Sequence, residues 1–235
     1  MTLSFYQHLV LETALDQARF RAIPLILRAV TLGVDRDLYL AFLANAYHHV
    51  RHTCPLMGLA LSHCREDDAA YRAGLLDYVM EEKGHEAWIL EDIAALGGDP
   101  RHVVERTAPF AVRMMVAYAY FAVERISPYT LLGMIHVLEG MSVALAPAAA
   151  DAIRAHLTPD DGTDGARDAI PPGFRYLTTH GQLDENHVDL FAGLLERIDT
   201  PARRGLVVQA ARDFYRLYGD VFRTLSPARE IRDAA

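Results

Sequence analysis

The sequence predicts an all-α, single-domain protein, residues 1–235, built as a bundle of about seven helices around a central cavity. Apolar residues recur at i, i+3, i+4 and i+7 along nearly the whole chain. Runs of strict polar and apolar alternation between turn residues, which would mark strands, are lacking.

A first helix is expected from Leu3 to the low thirties, bent or restarted at Pro24, where the ring removes a backbone donor. The segment Gly33-Val34-Asp35 supplies a stop and a cap for a second helix over 36–64, with a kink expected at Pro55. "REDDAAYRAG" opens a third helix that runs without a break to Gly97-Gly98. A short "DPRHVVERTA" piece leads to helices over 109–126 and 128–156, the latter opened by Ser127 with Pro128 at its first position. Residues 158–173, rich in Gly, Pro and Asp, read as a flexible loop and candidate lid. Helices over 174–198 and 201–225 follow, the second capped by Thr200, and 226–235 read as a frayed tail.

The 235 residues, 51% hydrophobic, suffice for one continuous core. A formal charge of −8 and the lack of any basic run argue against nucleic acid and anionic lipid as partners. The N-terminus has no basic region followed by an apolar core, and no apolar run was found near the roughly 20 residues of a membrane span. The expectation is a soluble, cytoplasmic protein without membrane contact, and by default a homodimer. Cys54 and Cys64 lie ten residues apart on one expected helix, too far to bridge, and read as reduced core thiols.

Polar residues interrupt the apolar stripe of three helices. At about 100° per residue, His180, Asp184 and His187 fall near 0°, 40° and −20°, on one narrow face. Glu82 and His85 have the i, i+3 spacing that aims a carboxylate and an imidazole at one point of a bundle core. Glu139 lies in "LLGMIHVLEGMSVAL", too apolar a run to be a solvent face. Three imidazoles and three carboxylates without a thiolate suit iron or manganese better than structural zinc, and two divalent cations would offset three buried charges. The other reading is that the groups satisfy one another, with Glu139 paired to an arginine such as Arg113 or Arg125.

The ordered set Glu82-x-x-His85, then Glu139, then His180-x-x-x-Asp184-x-x-His187 resembles the heme-oxygenase-like diiron oxidases and oxygenases, and "AFLANAYHHVRHTCPL" resembles the second helix of thiaminase II-like proteins. The resemblance implies a seven-helix, heme-oxygenase-like bundle in which those six residues bind two non-heme iron ions. Glu82 and Glu139 would be the bridging carboxylates, and the activity would be oxidation of a small organic metabolite (an amino acid, amine or carboxylic acid derivative) with dioxygen. Manganese could replace iron. Thiaminase II-like hydrolysis needs a cysteine past the hundredth residue, and this chain has none after Cys64. A heme protein of this fold would use a first-helix histidine, for which His8 is available. The alternative function is a metal-free, thiaminase II-like small-molecule binding or regulatory bundle. Tyr47, His49, His52, His136, Arg175 and Tyr176 are candidate substrate contacts, with His136 an alternative donor to the metals and Arg175 a partner for a substrate carboxylate.

Overall fold

The computed structural model describes residues 3–157, 170 and 172–225, with 180–189 described by helical backbone alone. Among the described residues there are eleven α-helices, one π-helical turn and no strand. The all-α class stands as expected, and the larger helix count comes from breaks that the sequence places in its own prolines and glycines.

The first two helices, α1 (Phe5–Arg21) and α2 (Pro24–Thr31), are the expected pair divided at Pro24. Ser4 and Gln7 form a reciprocal capping box on α1. Gly33, at φ +73°, and Asp35, whose carboxylate accepts from Leu38 N at 2.9 Å, separate α2 from α3 (Arg36–Val50).

The second expected helix is two, α3 and α4 (Thr53–His63), and the break falls at Arg51 and His52 rather than at Pro55. A proline ring clashes with the carbonyl four residues earlier, which here is that of Arg51, so the chain breaks before the proline. Cys54 and Cys64 are free but only half buried, so they are not the core thiols expected; burial still pushes both pKa values up, that of Cys64 to about 11.

The third expected helix is also divided, into α5 (Ala69–Glu82) and α6 (His85–Ala95), by Gly84 at φ +96°. A short α7 (Pro100–Glu105) precedes α8 (Phe110–Phe121), which ends in the π turn Ala122–Ile126. The long helix α9 (Thr130–Leu157), then α10 (Arg175–Glu196) and α11 (Pro201–Arg223), follow close to the expected bounds. The loop expected over 158–173 falls largely outside the described residues, and the expected tail wholly so.

Helix α9 is the axis on which the others pack. It lies against α2, α10 and α11. At Gly133 the approach to α11 is so close that a Cβ would stand 2.6 Å from Ala210 Cβ and 2.8 Å from Val207 O. Contrary to the sequence reading, α9 is long and apolar enough by composition to cross a membrane; 56% of that stretch is buried among its neighbours, as in a core helix.

Candidate metal centre

Glu82 closes α5 and His85 opens α6, so the two residues expected on consecutive turns of one helix sit on either side of a sharp joint. The joint requires glycine at position 84, because a positive φ costs any residue with a Cβ on the order of 1 kcal/mol. Across it the side chains still meet. His85 Nδ1 donates to Glu82 Oε2 at 3.2 Å, and the residues are only 2% and 3% exposed. Two donor atoms bound to one ion at about 2.1 Å and at right angles stand roughly 3 Å apart, so this spacing fits a shared divalent cation. Nitrogen and oxygen donors of this kind suit iron or manganese.

Glu139 lies mid-way along α9, 7% exposed. It and Glu82 both line a cavity of about 140 Å³ whose walls are otherwise mostly apolar, with Met57, Met134, Leu138, Met141, Leu145 and Phe222 among them. The arginines considered as partners for Glu139 are engaged elsewhere. Arg125 pairs with Glu124 at 3.3 Å, and Arg113 lies over the ring of Phe110.

The side chains of His180, Asp184 and His187 lie outside the described set. The height of their helix is fixed by contacts at its two ends. Asp92 on α6 accepts from Arg175 N and Tyr176 N at the start of α10, and Gly74 on α5 is packed so closely on Leu194 that a Cβ there would overlap Leu194 Cδ1. Eighteen residues separate Gly74 from Asp92, and eighteen separate Tyr176 from Leu194. The α5–α6 pair and α10 therefore run antiparallel in one register. In it, His85 is level with residue 183 and Glu82 with residue 186, inside the stretch from His180 to His187. Among the described residues no three of His, Cys, Asp and Glu converge, as follows when half of the expected set is not described.

Of the candidate substrate contacts, His49 and Tyr176 line the cavity. His49 Nδ1 donates to Asn45 O at 3.0 Å, which holds its proton at that nitrogen. The other four are engaged away from the wall. Tyr47 lies under the guanidinium of Arg51, and His52 Nδ1 is 3.0 Å from Tyr120 OH. Arg175 pairs with Glu91 at 2.6 Å and covers the ring of Trp88 at 4.8 Å. His136 Nε2 lies 3.0 Å from Thr13 Oγ1, whose own proton goes to Leu9 O at 2.8 Å. The imidazole is thus the donor, protonated at Nε2, and burial lowers its pKa to about 4.

Sequence reasoning missed Trp88 and Asp92. Trp88, the single tryptophan of the chain, stacks on His85 with ring centroids 4.2 Å apart. Asp92 is 2% exposed, and burial raises its pKa while the Tyr176 and Arg175 amides pull it down. Both lie on the face of His85, three and seven residues on, so their positions follow from helical periodicity, whereas the cap that Asp92 gives to α10 does not. His8 is exposed, in a surface groove with Glu12, Arg204 and Arg212, and not at the central cavity where a heme would bind.

The comparisons agree with this architecture. A domain with a heme oxygenase-like fold from Shewanella denitrificans OS217 superposes with a TM-score of 0.82 at 17% identity, over 100% of this chain and 97% of that one. A TenA homologue from Pseudomonas syringae pv. tomato DC3000 gives 0.73 at 12% identity, over 93% and 91%. A TenA homologue from P. horikoshii OT3 gives 0.69 at 10% identity, over 95% and 98%. The fold is heme oxygenase-like. The sequence profile described as iron-containing redox enzyme matches residues 40–219, and the chain belongs to that family. No curated protein matches the sequence.

Proposed function

We propose that this protein is a non-heme diiron oxidase or oxygenase that uses dioxygen to oxidise a small organic metabolite. The observation that carries the reading is the buried Glu82–His85 pair, beside a cavity shared with Glu139 and at the height of residues 180–187 of α10. The family's name supports iron. Glu82, His85, Glu139, His180, Asp184 and His187 would hold the metal pair. When bound, the pair would supply two electrons and a Lewis-acidic centre for dioxygen.

The chain's own residues do the rest. The apolar wall excludes water and favours a substrate with a hydrocarbon portion, since burying apolar surface is worth about 25 cal/mol per Å². His49 lines the cavity with its Nδ1 proton committed to Asn45 O. Tyr176, half buried at the start of α10, supplies a polar group to the wall.

The test is an anaerobic titration of the metal-free protein with ferrous ion, followed by exposure to dioxygen. Two ions should bind per chain and quench Trp88 fluorescence, because the indole stacks on His85. Glu82→Ala and His187→Ala should abolish binding while helix content stays intact. Retention of two ions by both variants would overturn the proposal. Wild-type protein that binds no ferrous or manganous ion would support a metal-free small-molecule binding function, a reading that the likeness to TenA homologues favours. The exposure of His8 disfavours a heme protein.

A further inference from the structure

Helix α10 begins without a cap of its own. Its N-cap residue is Phe174, which has no side-chain acceptor, although the first turn of any helix leaves backbone donors without intrahelical partners. Two of those donors are served from another helix. Asp92 on α6 accepts from Arg175 N through Oδ1 at 2.9 Å and from Tyr176 N through Oδ2 at 2.7 Å. Both carboxylate oxygens are spent on the first two residues of α10, in a setting only 2% exposed. The charge also lies where the helix dipole favours an anion.

Further ties act at the same point. Arg175 turns back onto α6, paired with Glu91 and lying over Trp88, and Trp88 stacks on His85. Tyr39 donates to Gly173 O at 2.9 Å and stacks on Phe174. The start of α10 is thus held in height and in rotation, and the main hold comes from the helix that carries His85.

We infer that Asp92 is a positioning residue for the metal centre, the group that fixes the register of α10 against α6; the inference rests on the diiron reading. Asp92 is seven residues after His85, two turns along one face of α6. Seven residues beyond Tyr176 on α10 is position 183, amid His180, Asp184 and His187. Equal distances from the clamp, about 10 Å on each helix, bring the backbone at His85 and the backbone of residues 180–187 to one level. A slip of one residue would shift α10 by about 1.5 Å and turn it by about 100°. A metal centre tolerates displacements of only about 0.5 Å in its ligands, so the clamp must hold to better than a third of a residue.

The experiment compares full-length wild type, Asp92→Ala, Asp92→Asn and Asp35→Ala, each stripped of metal. Asp35→Ala is the control, because it removes a cap of the same kind from α3, which carries no proposed ligand. Melting temperature and helix content are recorded first, then anaerobic ferrous binding by equilibrium dialysis. The visible spectrum of the cobaltous form is recorded at saturation, where it reports ligand geometry and not stability. Asp92→Ala and Asp35→Ala should both melt earlier. Only Asp92→Ala should lose at least tenfold in ferrous affinity and show altered cobalt bands. Asp92→Asn, which keeps one acceptor oxygen, should fall between, and it carries the test if Asp92→Ala does not fold. Wild-type affinity and bands in Asp92→Ala, or an equal loss in Asp35→Ala, would overturn this inference alone. A wild type that binds neither ion would overturn the diiron reading and this inference with it.

Discussion

His136 shows how a single buried residue ties the stability of the protein to pH. It donates to Thr13 and packs beside Phe191 and Tyr215. Burial lowers its pKa from 6.5 to about 4, so the folded state holds the neutral form. The unfolded chain takes up a proton below about pH 6.5 and the folded chain only near pH 4. Between those values the unfolded state binds the extra proton, and stability falls as pH falls. The contribution is complete above pH 6.5 and is lost on the way down to about 4. At about 1.4 kcal/mol per unit, the loss from pH 7 to pH 5 is about 2 kcal/mol. Urea unfolding at the two pH values should show a drop in wild type larger by about that amount than in His136→Asn. Equal drops would mean that His136 titrates as it does in the unfolded chain.

At the scale of the element, two glycines should respond in opposite ways to the same substitution. Gly84 has φ +96° with open space where a Cβ would go, so its only constraint is backbone conformation. Gly84→Ala should cost about 1 kcal/mol and move His85 off Glu82. Gly58 lies inside α4, also with open space around a Cβ, and Gly58→Ala should stabilise by about 0.5–1 kcal/mol. Urea denaturation of both variants checks the signs, and a stabilised Gly84→Ala would show that the α5–α6 joint is not strained. The joint also shows what was legible in the sequence. The stripe positions of Glu82, His85 and Glu139 followed from periodicity, and all three are buried. That Glu82 and His85 lie on two helices did not follow, because an interior glycine is compatible with a helix until its φ is known. Asp92 was missed for a different reason: its partners are 83 and 84 residues away, and no local pattern announces a cap given to another helix. Tyr47, His52 and Arg175 share segments with residues that do line the cavity, but Tyr47 lies about 200° round α3 from His49, the break at Arg51 turns His52, and Glu91 draws Arg175 away.

At the scale of the whole molecule, the cavity decides what the bundle can bind. It is bounded by α1, α2, α3, α4, α5, α9, α10 and α11, and its lining on α9 alone extends from Leu131 to Ile153, about 33 Å of helix. A volume of about 140 Å³ is some ten times what one water needs on the same measure, enough for a compact organic molecule but small for an extended one. The few polar groups, Glu82, Glu139, His49, Ser142 and Tyr176 among them, are outnumbered by methionine, leucine and aromatic side chains. An amino acid zwitterion would leave charges against this wall, whereas a molecule with a hydrocarbon portion would bury it there. A ligand that binds only the folded state raises its stability by about 2.7 kcal/mol at a hundred times its Kd. Short-chain alcohols, amines and carboxylic acids should therefore raise the melting temperature of the metal-free protein, while free amino acids leave it unchanged. Ala146, buried on α9 in the cavity wall, tests the location. Ala146→Phe should fill part of the space and shrink the shift. An undiminished shift in that variant would place the binding elsewhere, and a shift with amino acids alone would mean that the charged side chains, and not the apolar wall, select the substrate.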